Sequence, residues 1–398
     1  MDETESSKQK KLRTGDHPPT NPAATLLTDD LVVEILSRLP AKSLHRFKCV
    51  SPSWRDLIAH PAHRKKLPQT LAGFLYGTDD SHFANVSGGP APLNASVPVL
   101  LDKYLHLDTC NGLLFCLCYS EPPPTSSTTE FDSHYIVCNP ATERWVELPP
   151  HPRAEFNSIC RTPRLAFDPA VSPHFHVLEF EETDRRKHIT GLNIYSSKTG
   201  AWNHRGSELG EEVALFSGIT SAYLGGMLHL LGMLPMNDFD SVLVVVDMEG
   251  KVWKTIHVPH GFSFGTLFGT IALSQGCLHY ANTIQAPTSK KMKKKDALSL
   301  APKIALWYLE DYDSKEWVLK HSISTDKLFS RNVMEFKVAA IHPDCDTVFS
   351  LSCETGRLAS CDMRRQKFHI LNLEKSMTWD LLPYVPLFSD SLAEAVGQ

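Results

Sequence analysis

Residues 135–148 read YIVCNPATERWVEL: an apolar run, a polar turn, then a tryptophan that opens a second run. The form returns in LNIYSSKTGAWNHR (192–205), VLVVVDMEGKVWKTIHV (242–258), IALWYLEDYDSKEWVLKHSI (304–323) and LASCDMRRQKFHILNL (358–373). The aromatic at each restart is Trp145, Trp202, Trp253, Trp317 or Phe368, at separations of 57, 51, 64 and 51. Short apolar runs bounded by Asn, Asp, Gly and Pro predict strands. A period of fifty-odd residues built on four short strands predicts blades of a β-propeller.

Further strands are expected in NGLLFCLC (111–118), GGMLHLLG (225–232) and QGCLHYAN (275–282), and RLAFDP (164–169) matches VAAIHPD (338–344). Dividing residues 70–390 by the period gives about six blades. FLYG (74–77) and DLLPYVPL (380–387) are the strands expected to close the ring by pairing the two ends of the array. The five aromatics are read as structural, each filling the gap between neighbouring sheets.

Residues 26–59 are different in kind: LLTDDLVVEILSRLPAKSLHRFKCVSPSWRDLIA. Thr28 is placed as an N-cap, with Asp29 and Asp30 in the first turn, where the helix dipole favours negative charge. Leu31, Ile35 and Leu39 recur at helical spacing beside Val32 and Leu36. Pro40 ends the helix, because the residue before a proline avoids the helical region. A second short helix is expected to carry Leu44, Phe47 and Val50. Ser51 caps a third, with Pro52 in its first turn, and Trp54, Leu57 and Ile58 along it. The apolar side chains of the first helix span about 200° of arc, wider than a one-sided surface helix needs. Three helices in so short a stretch make a small core. The wide arc is expected to be packed on the body of the chain, to be the core of a small helical cap, or to be covered in part by a second protein.

The chain has 398 residues, 40 basic and 45 acidic, for a net charge of -5, which excludes a strongly basic nucleic-acid binder as the default. No apolar run approaches the ~20 residues of a membrane helix. The first 25 residues are polar and charged and read as a disordered leader. Ten cysteines are spread along the chain with no CxxC pair. Cys116, Cys118 and Cys138 lie in strand-like runs and are expected to be reduced thiols.

The stretch from Leu27 to Ile58, and above all ILSRLPAKSLHRFKCVSPSWRDLI, resembles an F-box. Leu39-Pro40, then Leu44, Arg46 and Phe47, Val50-Ser51 and Trp54-Arg55 stand in that family's order and spacing. Leu27-Thr28 stands where the family usually has Leu-Pro, and threonine serves as the cap. The later repeats resemble the kelch-type F-box-associated region common in plant F-box proteins. The matches are Asn139-Pro140-Ala141-Thr142 before Trp145, Tyr195-Ser196-Ser197 before Trp202, and Gly225-Gly226 before His229.

The organisation expected is then a multidomain α + all-β chain. A leader at 1–25 precedes a small three-helix F-box at 26–67 and a kelch-like β-propeller of about six blades at 68–398. The resemblance implies a substrate-recognition adaptor of an SCF-type cullin-RING ubiquitin ligase, not an enzyme. It would dock a Skp-type adaptor and hold an unknown substrate protein in the cytoplasm, the nucleus or both. Anchors on the Skp-type subunit are expected among Leu27, Leu31, Ile35, Leu36, Leu39, Pro40, Leu44, Phe47, Val50 and Trp54. Some of these must instead form the head's own core.

No catalytic, cofactor or metal residue is assigned. GxxxxGK[ST], GxGxxG between strand and helix, and GxSxG are all missing from the sequence. His60/His63 and His257/His260 lie three apart beside prolines and read as loop histidines. Glu179, Glu181, Glu182 and Asp184, like Glu310, Asp311 and Asp313, are expected to be exposed turn charges. The basic run 289–295 reads as a loop insertion, with a nuclear-import signal as the sharper alternative. The rival function is a propeller that binds a small ligand or glycan, or is enzymatic, with the helical head as an accessory. Its mark would be His, Asp or Glu converging on the central channel.

Overall fold

The residue two places ahead of the aromatic gives each repeat its turn. Glu143, Gly200, Lys315 and Gln366 have left-handed backbones (φ 56°, 67°, 56° and 54°) two positions before Trp145, Trp202, Trp317 and Phe368. Gly250 does the same three positions before Trp253 (φ 68°). A left-handed residue closing a short loop reverses the chain into an antiparallel hairpin, so the aromatic opens the returning strand. In the strand-start sequences NG (111–112), GG (225–226) and QG (275–276) both residues have positive φ. That is the two-residue hairpin turn whose twist matches the strands it joins.

In the computed structural model the described residues are 27–39, 50–60, 71–76, 82–86, 104–119, 133–150, 159–183, 188–216, 218–235, 240–260, 269–284, 302–312, 314–325, 336–352, 356–371 and 381–387. Ser43, Leu44, Phe47, His63, Lys66, Leu67 and Leu392 are described singly.

Six antiparallel sheets follow one another around a ring. Blade 2 is Tyr104–Cys110, Leu113–Tyr119, Ser133–Asn139 and Arg144–Glu147. Blade 3 is Ile159–Ala166, His176–Thr183, Ile189–Ser196 and Ala201–Gly206. Blade 4 has a divided first strand, Ala214–Leu215 and Ala222–Leu224, then Met227–Leu234, Asp240–Asp247 and Trp253–His257. Blade 5 is Thr270–Ser274, Cys277–Ile284, Lys303–Asp311 and Glu316–Ser324. Blade 6 is Phe336–Ile341, Thr347–Ser352, Leu358–Asp362 and Lys367–Leu371. Blade 1 joins the two ends of the array: Leu381–Tyr384 pairs with Gly73–Tyr76, which pairs with His82–Asn85. The closing register sets Phe74 against Pro383 and Leu75 against Leu382, as FLYG and DLLPYVPL predict.

The first strands lie against one another around the axis and the fourth strands form the rim. Burial follows: Met227–Leu234 is almost wholly buried and Ala201–Gly206 almost wholly exposed. The run Val242–Val246 shows why the middle strands are continuously apolar. Val242, Val244 and Val246 face blade 3, while Leu243 and Val245 face blade 5. Alternate side chains point to opposite faces, and both faces are covered. Each of the six junctions between blades holds its own apolar cluster.

After the closing strand the chain runs on over blade 2. Leu387 and Leu392 are buried among residues of blades 2 and 3, and Asn139 Nδ2 donates to the Leu387 carbonyl at 3.0 Å. A Cβ on Gly112 would lie 2.4 Å from Leu387 Cβ, so the tail closes over that turn only because a glycine stands there.

The head has a separate core of Val32, Val33, Leu36, Leu44, Ile58 and Leu67. Two helices are described, α1 at Asp29–Ser37 and α2 at Pro52–Ala59. Both caps form: Thr28 Oγ1 accepts from Leu31 N at 3.4 Å and Ser51 Oγ from Trp54 N at 3.2 Å. Of the helix expected between them, Ser43, Leu44 and Phe47 are helical. Val50, expected on it, stands in a turn; residues 45, 46, 48 and 49, the leader 1–25 and the basic run 289–295 lie outside the described residues.

Candidate functional site

Helix α1 separates its apolar residues by phase. Val32, Val33 and Leu36 are buried beneath it. Leu31 and Ile35, four apart and so on one helix face, stand along its outer side, each 50% exposed. Leu27, ahead of the extended cap residue Thr28, is 49% exposed. The Glu34–Arg38 ion pair, 2.7 Å and exposed, lies on the same helix. Val50, 59% exposed, is a fourth apolar side chain of the head open to solvent.

The ten expected anchors thus divide. Leu27, Leu31, Ile35 and Val50 are exposed; Leu36 and Leu44 are in the head's core. Leu39, Phe47 and Trp54 are half-buried against that core, with the Phe47 and Trp54 rings 5.3 Å apart. Pro40 lies outside the described residues.

The blade aromatics divide too. Trp202 packs on the junction of blades 2 and 3 and donates its indole N–H to the Pro149 carbonyl at 3.0 Å. Trp317 packs on the junction of blades 4 and 5 and donates to the His257 carbonyl at 3.0 Å. Trp253 meets Phe180 of blade 3 edge-on at 6.1 Å, and Phe368 packs on the junction of blades 5 and 6. Trp145 differs: it is 53% exposed.

Two buried charged residues on first strands, Asp108 of blade 2 and Arg164 of blade 3, are engaged within the chain. Residues 216 and 218–221 interrupt the first strand of blade 4 between Leu215, which pairs with Gly232, and Ala222, which pairs with His229; Ser217 lies outside the described residues. Fully buried Asp108 of blade 2 accepts from Ser221 Oγ at 2.7 Å, Leu165 N at 3.0 Å and Thr109 N at 2.9 Å. Arg164 of blade 3 donates to the carbonyls of Pro163 at 2.8 Å and Phe216 at 3.3 Å. Burial raises the Asp108 carboxyl above its ordinary value, against the opposing pull of Arg164 and the three hydrogen bonds. No element or role is assigned to this insert from the sequence.

The acidic residues of blade 3 correct the sequence reading. Glu179, Glu181 and Glu182 are buried on the strand His176–Thr183, not exposed in a turn. Glu179 takes the Tyr135 hydroxyl at 2.9 Å and Arg161 at 3.4 Å. Glu182 accepts from Leu215 N at 2.7 Å and Thr162 Oγ1 at 3.2 Å. Burial alone would raise the Glu181 carboxyl, but Asn193, His204 and Arg161 hold it below its ordinary value. Carboxylates this deep persist because each is paired or hydrogen-bonded.

Among the described residues no three His, Cys, Asp or Glu side chains come together in a way that could hold a metal ion. None of the described helices is long and apolar enough to cross a membrane.

A family model described as F-box protein At3g26010-like, beta-propeller, matches residues 95–393, and an F-box domain model matches residues 25–66. F-box protein At3g26010 of Arabidopsis thaliana is 25% identical over 370 residues, 87% of this chain and 80% of that protein. The putative F-box/kelch-repeat protein At1g15680 of the same plant is 25% identical over 390 residues, 90% of this chain and 86% of that one. F-box protein At5g07610, also from Arabidopsis thaliana, is 29% identical over 203 residues; this match covers 45% of the chain and 46% of that relative's length. Among solved structures, the GH93 alpha-L-arabinofuranosidase of Fusarium graminearum with arabinobiose aligns over 78% of this chain and 88% of that one. Its TM-score of 0.40 and 11% identity carry no argument about chemistry.

Proposed function

The chain belongs to the F-box protein At3g26010-like β-propeller family, and on that premise we propose that it is a substrate-recognition adaptor of an SCF-type cullin-RING ubiquitin ligase. The head docks a Skp-type subunit and the propeller holds a substrate protein. Ubiquitin transfer is then promoted by effective concentration, since a tethered substrate meets the transfer centre without a bimolecular encounter. The chain itself contributes no nucleophile and no base. The cytoplasm, the nucleus or both would be its place of action.

The observation that carries this reading is the set of exposed apolar side chains of the head: Leu31 and Ile35 on one face of α1, Leu27 ahead of its cap, and Val50. Half-exposed Leu and Ile side chains gain about 1 kcal/mol each when covered, half the value of full burial. Four anchors then contribute about 4 kcal/mol, at the low end of an association cost of about 4–15 kcal/mol. Leu39, Phe47 and Trp54, half-buried against the head's core, are the residues that would extend the contact. Leu36 and Leu44 support it from beneath.

The test is a binding titration of the purified full chain against a Skp-type adaptor. Leu31→Asp with Ile35→Asp is expected to abolish binding while circular dichroism and the thermal transition of the propeller stay unchanged. Undiminished binding by the double variant would overturn this placement of the docking surface.

A further inference from the structure

The insert 216–221 of blade 4 meets side chains from blades 2, 3, 5 and 6. Ser221 reaches Asp108 of blade 2 at 2.7 Å. The Phe216 carbonyl takes Arg164 of blade 3 at 3.3 Å. The Gly218 carbonyl takes Lys337 Nζ of blade 6 at 3.5 Å. The Phe216 and Ile219 side chains pack in the cluster shared by blades 4 and 5, beside Ile271 and Tyr280. Blade 1 joins through Thr109, whose N–H donates to Asp108 and whose hydroxyl donates to the carbonyl of Pro383 at 2.8 Å in the closing strand.

We propose that this insert is an axial keystone: a strap across the channel that makes the closed ring open as one unit rather than blade by blade. The proposal rests on the fold and is independent of what the head binds. In a ring of sheets each blade touches only its two neighbours, so local opening need not spread. The strap adds contacts between blades that are not neighbours: blade 4 with blade 2, and blade 4 with blade 6. Its central acceptor, Asp108, is fully buried, and removing one partner of a buried charged group is felt by the whole network it anchors.

Native-state hydrogen exchange of the full chain tests this. In Ser221→Ala the amides of Leu165, which donates to Asp108, and of the closing strand Leu381–Tyr384 are expected to lose about tenfold in protection, the equivalent of one lost hydrogen bond to a charged group. Lys337→Met removes the tie to blade 6 and is expected to lower protection in Phe336–Ile341 and, through it, in Leu381–Tyr384. Loss of protection confined to residues 214–224 in Ser221→Ala, with Leu165 and the closing strand unchanged in both variants, would overturn the proposal and leave the insert a local loop.

Discussion

The indole N–H of Trp202 in blade 3 donates to the carbonyl oxygen of Pro149, just beyond the last strand of blade 2. Trp317 repeats the relationship with His257 two blades further on. In both, the aromatic that opens a fourth strand is fastened to the segment ending the fourth strand of the blade before it. Each such residue therefore fills a gap and bridges two rims.

Trp202→Ala should accordingly cost about 2–3 kcal/mol, since a half-buried indole loses both its apolar contacts and its hydrogen bond. Trp202→Phe, which keeps a ring and loses the N–H, should cost about 1 kcal/mol. Trp145→Ala should cost well under about 1 kcal/mol, in line with its exposure. Urea denaturation of the three variants ranks them, and equal costs at positions 145 and 202 would contradict the distinction.

The two sides of helix α1 should respond oppositely to truncation. Leu36→Ala removes a fully buried side chain from the head's core and is expected to cost about 2–5 kcal/mol of head stability. Leu31→Ala changes a half-exposed position and should stay within about 1 kcal/mol. Exchange of head amides distinguishes them: Leu36→Ala should loosen α1 and α2 together, and Leu31→Ala should leave both protected.

Stability should fall on mild acidification. Burial pulls the imidazole of His229 down to about 4 and that of His342 down to about 4. His229 is enclosed, with Nδ1 at the Ala222 carbonyl at 3.0 Å and Nε2 at the Tyr312 hydroxyl. Above an ordinary value near 6.5 both folded and unfolded chains carry neutral rings, so nothing changes. Between pH 6.5 and 4 the unfolded chain takes up protons that the folded chain refuses, so unfolding gains. Each ring accounts for up to about 3 kcal/mol across that window. Urea midpoints from pH 7.5 to 4.5 should decline mainly below 6.5, and His229→Gln should flatten that decline.

The tail after the closing strand should be a fastening. Leu387→Ala empties a buried site against Gly112 and blade 2, with an expected cost of about 2–5 kcal/mol. Gly112→Ala should cost at least about 1 kcal/mol, because its left-handed φ of 90° and the Leu387 side chain both oppose a Cβ. Thermal melts measure both, and a neutral Leu387→Ala would show the tail to be dispensable.

The repeat was legible because it is written in local terms: an apolar run, a left-handed turn residue and an aromatic restart all fall within about fifteen positions. The closing pair was legible for another reason, since FLYG and DLLPYVPL were apolar segments left over at opposite ends of the array. What was hidden depends on distant partners. Glu179, Glu181 and Glu182 look like surface charge until Arg161, Tyr135, Asn193 and the Leu215 amide are brought to them. The insert 216–221 is hidden because its ties are to distant residues, Asp108 and Arg164, while Phe216 and Ile219 pack in the junction of blades 4 and 5. In the head, the phase of α1 alone distinguishes Leu31 and Ile35 from Val32 and Leu36. The burial of Leu44 and the exposure of Val50 depend on how the short segments pack.

Pairing of Leu381–Tyr384 with Gly73–Tyr76 also sets an order of events during synthesis. The head and the first strands leave the ribosome some three hundred residues before the strand that completes their sheet. Until then the nascent chain is an open crescent whose terminal strand offers its backbone groups to any passing β-strand. A message truncated between the head and Leu381 would therefore yield a product with an intact docking head on an unclosed, aggregation-prone body.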